Sequence, residues 1–195
     1  MIRSEFMPTP ITRIVKVGGS LFDLPNLGEQ VQAWLDRQTP AGNVLFAGGG
    51  EEVDRIRSEC KTAELGEHEA HWQCIKALSA TASHLGELMP GVTVQTHIPF
   101  PPHRTVIFSC ATWLKNIEPL VSGTRLLASW DVTSDSIAAR LAICIDADEL
   151  VLLKSADSLS KDLQLLTDAG YIDKFFPRLA GEIPPLRIVN LRKEK

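Results

Sequence analysis

Lys16-Val17-Gly18-Gly19-Ser20, Gly48-Gly49-Gly50 and Thr133-Ser134-Asp135 follow one another along 195 residues, each at the end or the start of a regular segment. These are the residue types of a phosphate site. Glycines at 18 and 19 carry no Cβ, so successive backbone N–H groups can turn into one concavity, and Lys16 adds a point charge beside it. Alone, Gly-Gly-Ser reads equally well as a turn. Three more glycines at 48–50 cost backbone entropy that an ordinary turn does not require, which favours close approach to a ligand. Asp135 follows Thr133 and Ser134 where a helix should begin, a cap in its own right. It could also hold the ammonium of Lys16 and of a second lysine, Lys154, which ends the apolar run Leu150-Val151-Leu152-Leu153. Two lysines, two glycine turns and one aspartate suit phosphoryl transfer, in which an enzyme mainly positions groups and neutralises charge on oxygens. The chain has no G-x-x-x-x-G-K-[ST] loop and no H-R-D or D-F-G signature, so a P-loop or protein-kinase scaffold is not expected.

The elements that must carry these residues alternate. Ile11 to Val17 reads as a buried strand running into the first glycine turn, and Val44 to Ala47 as a second strand running into the triple glycine. Leu27, Val31, Trp34 and Leu35 share one face of an intervening helix. Glu51, Val53, Ile56 and Arg57 suit a short helix after Gly50. Trp72, Ile75, Leu78, Ala82 and Leu85 predict one long helix over Glu67–Leu88, closed by Pro90-Gly91. Val92–Thr96 and Thr105–Ser109 read as strands or edge segments around a proline corner at Pro99, Pro101 and Pro102. A helix after Thr133 presents Ile137, Ala138, Leu141 and Ala142. Leu150–Lys154 is a buried strand, Tyr171–Leu179 is expected to be helical, and Arg187–Asn190 closes with a strand. This alternation predicts a three-layer α/β/α sandwich with a largely parallel sheet, whose ligands bind beyond the carboxyl ends of the strands. Residues 1–10 are expected to be a flexible terminus, with 11–195 as one domain.

Composition agrees with a soluble chain. Hydrophobic residues make up 44%, charged residues 23% and the formal net charge is -4, so no general attraction to nucleic acid or to an anionic membrane is expected. Arg3, Glu5 and two prolines interrupt the first ten residues, and no apolar run approaches the roughly 20 residues of a membrane span. A cytoplasmic location is expected. The cysteines at 60, 74, 110 and 144 form no C-x-x-C pair and are expected to be free thiols. His68-Glu69-Ala70-His71 places two residues between its histidines where H-E-x-x-H needs three, so no metal site is expected there.

Lys16-Val-Gly-Gly-Ser-Leu21, Phe46-Ala-Gly-Gly-Gly50, Thr133-Ser-Asp-Ser136 and Lys154 together resemble the amino-acid kinase family, in consistent order over about residues 11 to 190. The short length, Ser129-Trp130-Asp-Val-Thr-Ser-Asp-Ser136 and Ile172-Asp-Lys-Phe-Phe-Pro177 look most like its small archaeal-type branch, which phosphorylates an aminomethyl-furanmethanol phosphate in methanofuran synthesis. The resemblance implies ATP with Mg²⁺ and a small-molecule acceptor. It implies that Lys16 and Lys154 stabilise the transferred phosphoryl and that Asp135 organises them. Gly18, Gly19, Ser20 and Asp157 would serve the nucleotide; Gly48, Gly49, Gly50, Thr133 and Ser134 would serve the acceptor. Arg55 or Arg57, after the triple glycine, could meet an acceptor phosphate, and His71 could line its pocket. A homodimer through the Glu67–Leu88 helix fits the same fold. In place of the family's Thr-Asp-x-x-Gly, the chain has Lys154-Ser-Ala-Asp157-Ser158. This departure keeps open a second class of function, a nucleotide- or metabolite-binding regulator without turnover.

Overall fold

The computed structural model describes residues 11–62, 66–97 and 104–194. The terminus at 1–10 and the proline corner lie outside them. The elements run β1 (Ile11–Val17), α1 (Leu27–Asp36), β2 (Ala41–Ala47), α2 (Gly50–Thr62), α3 (Glu67–Leu88), β3 (Thr93–Gln95), β4 (Thr105–Phe108), α4 (Ala111–Asn116), α5 (Ser134–Cys144), β5 (Glu149–Lys154), α6 (Leu163–Asp168) and β6 (Leu186–Asn190).

The strands form one six-stranded sheet in the order β3-β4-β2-β1-β5-β6, with every pairing parallel. From β1 the chain adds β2 beside it, passes to β3 at the edge, fills the place between them with β4, and then returns to add β5 and β6 on the other side of β1. The order therefore reverses between β1 and β5, where open α/β sheets leave a crevice beyond the strand ends.

Strand side chains alternate between two buried cores. Ile14, Val44, Phe46, Leu150 and Leu152 join the core made with α2, α3, α5 and α6. Val15, Val17, Leu45, Val151 and Leu153 join the core made with α1, the carboxyl half of α3 and Leu191. Near-continuous apolar strands are what a parallel sheet covered on both faces requires. The same period-2 rule puts Lys16 on the side of Ile14, and Lys154 on the side of Leu150 and Leu152. Both lysines therefore stand above α5.

Two helices escaped the sequence reading, α4 and α6, each of six residues. The Asp162 carboxylate caps α6, accepting from the N–H groups of Gln164 and Leu165. Tyr171–Leu179 is not a helix: only Phe176–Leu179 coils, as a 3-10 turn. The Asp173 carboxylate accepts from the N–H groups of Phe175 and Phe176, which bends the chain locally and competes with a regular helix.

Helix α1 meets the end of α3 through Gly28. A Cβ there would stand 1.8 Å from the Leu88 carbonyl oxygen. Gly28→Ala is therefore expected to destabilise the protein by about 1–3 kcal/mol despite alanine's better helix propensity. Urea denaturation reads this directly, and an unchanged midpoint would mean that α1 and α3 separate at no cost.

Candidate active site

Lys16 ends β1 one residue before its last, and Lys154 ends β5, so the two ammonium groups flank the sheet's reversal point. Between them stands Asp135, in the first turn of α5. Lys16 Nζ is 2.8 Å from Asp135 Oδ1, and Lys154 Nζ is 2.8 Å from Oδ2. Lys154 Nζ also donates to the Tyr171 carbonyl at 2.7 Å. Only 4% of Lys16 and 5% of Asp135 is exposed, so this is a buried cation, anion, cation arrangement.

Its electrostatics follow from geometry. Burial alone would raise the Asp135 carboxyl, but the two ammonium groups outweigh it and hold it at about 2. Burial lowers Lys154 more strongly than Asp135 raises it. Two ammonium groups share one carboxylate, so one positive charge is left for a ligand to meet.

The cluster stands at the foot of a cavity of about 670 Å³. Gly19, Ser20 and Gly49 line it, and among the described residues their N–H groups have no acceptor. Gly18 is different: its N–H donates to the Leu153 carbonyl at 2.8 Å, so it cannot also face a phosphate. Gly18 is needed because a Cβ would come within 2.7 Å of that carbonyl oxygen. Gly48 likewise spends its N–H on Val17, at 2.8 Å.

The glycine turns pack against each other. A Cβ on Gly19 would meet the Gly50 nitrogen at 2.4 Å, and one on Gly48 would meet the Gly19 nitrogen at 2.5 Å. Gly50 also adopts φ 58° to open α2. Their first task is therefore contact with one another, where the sequence reading assigned close approach to a ligand. That contact brings Gly19 and Gly49, with Ser20 beside them, to the wall of the same cavity.

Thr133 and Ser134 line the cavity beside Asp135. Thr133 caps α5, its hydroxyl accepting from the Asp135 N–H at 3.4 Å. Ser20 is held by its hydroxyl contact with Ser155, at 2.7 Å. His71 is buried on the cavity wall, with Nδ1 3.2 Å from the Ser129 carbonyl. A carbonyl only accepts, so Nδ1 carries the proton; burial lowers the ring's pKa and favours the neutral form.

Two expected residues fall elsewhere. Arg55 points into solvent, engaged by Glu52 and Glu59 on the same helix face. Arg57 reaches the cavity instead, because it lies four residues after Val53, which also lines it. Its guanidinium sits 5.8 Å from the centre of the Trp130 ring, and its buried Nε has no partner among the described residues. Asp157 is exposed, paired with Lys193 and accepting from Asn190 at 2.9 Å, and it is absent from the cavity wall.

Asp173, which the sequence offers only as part of the string Ile172-Asp-Lys-Phe-Phe-Pro177, has a role that the sequence reading did not assign. Its carboxylate is buried and accepts from the Thr133 N–H and hydroxyl and the Ser136 N–H at 2.9, 2.8 and 3.0 Å, and also from the Ser136 hydroxyl. No local motif announces a cap supplied from 37 to 40 residues away.

No family model matches this chain, and no curated protein matches it. Solved structures do. UMP kinase from Bacillus anthracis superposes with a TM-score of 0.60 at 14% identity, over 96% of this chain and 89% of that one. UMP kinase from Ureaplasma parvum gives 0.59 at 15% identity, over 95% and 92%. Uridylate kinase from Archaeoglobus fulgidus gives 0.51 at 15% identity, over 78% of this chain and 66% of that chain, just under two thirds of its length. At such identity the likeness establishes the architecture alone: the chain has the amino-acid kinase fold.

Proposed function

We propose that this protein is an ATP-dependent phosphotransferase that moves the γ-phosphoryl group to a small acceptor bearing its own phosphate. The observation that supports this most is the sharing of Asp135 by Lys16 and Lys154, each at 2.8 Å, beside amides without acceptors. A surplus cation under a ring of N–H donors suits a transferring phosphoryl group. In this reading the acceptor oxygen attacks in line, Lys16 and Lys154 take up charge as it builds on the equatorial oxygens, and no covalent intermediate forms. The amides of Gly19 and Ser20 would hold nucleotide phosphates, and that of Gly49 would serve the acceptor side. Mg²⁺ would be held mainly by those phosphates and water, which needs no protein cage. Among the described residues no group of three or more His, Cys, Asp or Glu is arranged to hold a metal.

On the acceptor side, Arg57 offers a fork suited to a phosphate and His71 a neutral ring. Aminomethyl-furanmethanol phosphate is the first acceptor to try. ADP release from ATP and Mg²⁺ is expected to depend on the acceptor. Arg57→Ala is expected to raise the acceptor KM by about tenfold or more, the scale of a lost charged hydrogen bond, while Arg55→Ala does not. Equal effects of the two variants would remove Arg57 from acceptor recognition.

One observation favours a second reading, a nucleotide-binding regulator: Asp157 is tied to Lys193 and Asn190, away from the cavity. Calorimetric ATP binding with no ADP release across a panel of phosphorylated acceptors would select it. A cytoplasmic location and pairing of two copies through α3 belong to the same proposal. Among the described residues no helix is long and apolar enough to cross a membrane.

A further inference from the structure

The turn that follows α6 touches the lysine and aspartate cluster from two directions. Tyr171 supplies the carbonyl that receives Lys154 Nζ at 2.7 Å. Two residues later the Asp173 carboxylate grips the first turn of α5, on both sides of Asp135: Thr133 through N–H and hydroxyl, Ser136 through N–H and hydroxyl. The remaining acceptor capacity goes to the N–H groups of Phe175 and Phe176, at 3.2 and 3.0 Å. Six donors converge on one carboxylate that is 9% exposed. Such a buried, fully occupied network fixes the elements that it joins.

We infer that Asp173 is a positioning residue for the proposed phosphoryl transfer, locking the α5 turn that carries Asp135 to the turn that holds Lys154. It makes no hydrogen bond or ion pair with either lysine, so apart from the weak field of its charge at Lys154 it would act through Asp135 and Tyr171, and Ser136→Ala, which keeps that charge, separates the two. A rigid link is needed here because Lys154 stands on β5 and Asp135 on α5, with only their end groups meeting at 2.8 Å. Small displacements of one element against the other open that contact, and misplacement of about 1 Å can cost on the order of 100-fold in rate.

The inference rests on the proposed function, and its test has an arm that does not. Asp173→Asn cannot accept along both carboxylate edges, because its NH2 group faces donors. In this variant kcat is expected to fall by about 100-fold, with KM for ATP and acceptor changed by less than about threefold. In parallel, competitive acetylation read by mass spectrometry compares Lys154 with exposed Lys76 in protein that circular dichroism shows to be folded. Release of Lys154 from its two partners is expected to raise its relative labelling by roughly tenfold or more. Ser136→Ala removes one of the six donors and leaves Asp173 in place; it should move both readouts the same way by less, and it carries the test if Asp173→Asn does not fold. A kcat that falls only with the folded fraction, together with unchanged Lys154 labelling, would overturn the inference. If the parent protein consumes no ATP with any acceptor, the proposed function fails while the labelling still decides what Asp173 does.

Discussion

Lys16→Met is expected to slow phosphoryl transfer by about 10²- to 10³-fold, the scale of losing one preorganised charge contact in the transition state. The same variant should unfold at the same urea concentration as the parent, or a higher one. The second half of this expectation comes from the charge arrangement. Asp135 is shared by two buried ammonium groups, and these repel each other across it. Removing Lys16 leaves Asp135 paired with Lys154 in a neutral couple, so no uncompensated charge is created. Methionine also preserves the length of the stem through the apolar end of β1. Activity and stability thus part company, which an ordinary core substitution would not produce. Turnover within about threefold of the parent would remove Lys16 from the chemistry, and a large loss of stability would mean that its ammonium is held chiefly for structure.

That arrangement was readable because it is made by the strictest pattern in the chain. In β1 and β5 every second residue faces the same core, so once Ile14, Leu150 and Leu152 are assigned inward, Lys16 and Lys154 must follow them. The apolar spacing of Ile137, Ala138, Leu141 and Ala142 then lays α5 beneath those strands, with Asp135 at its start. Arg57 against Arg55 was also within reach. Two residues turn a helix through about 200°, so Arg55 cannot share the face of Val53 while Arg57 can. What sequence could not supply was contact between distant backbones. Gly48 and Gly50 read locally as one ligand-binding turn, yet the nearest obstacle to a side chain there is Gly19, some thirty residues earlier in the chain. Asp173 was hidden for the same reason, since its partners belong to another element and its neighbours Tyr171, Phe175 and Leu179 imitate a helical stripe.

Asp135→Asn is expected to have the opposite signature to Lys16→Met. Asparagine carries no charge, so Lys16 and Lys154 would be left buried and facing each other, and breaking such a pair costs about 3–5 kcal/mol. Turnover should fall too, because neither ammonium keeps its charged partner. The pH dependence gives the sharper check. In the folded protein the Asp135 carboxyl sits at about 2, below its ordinary value of 3.8. A group whose folded value is depressed adds stability above its unfolded value and loses it as pH falls through the folded one. The displacement from 3.8 to about 2 corresponds to roughly 2 kcal/mol, all of it present at neutral pH. Urea denaturation of parent and variant from pH 7 down to about 2.5 should therefore show a gap that is constant above about pH 5 and narrows below it, as Asp135 of the unfolded parent, at its ordinary value of 3.8, takes up a proton that the folded carboxylate does not bind. A gap that stayed constant through that acid range would show that the variant is weakened by packing, and that the two lysines do not depend on the charge between them.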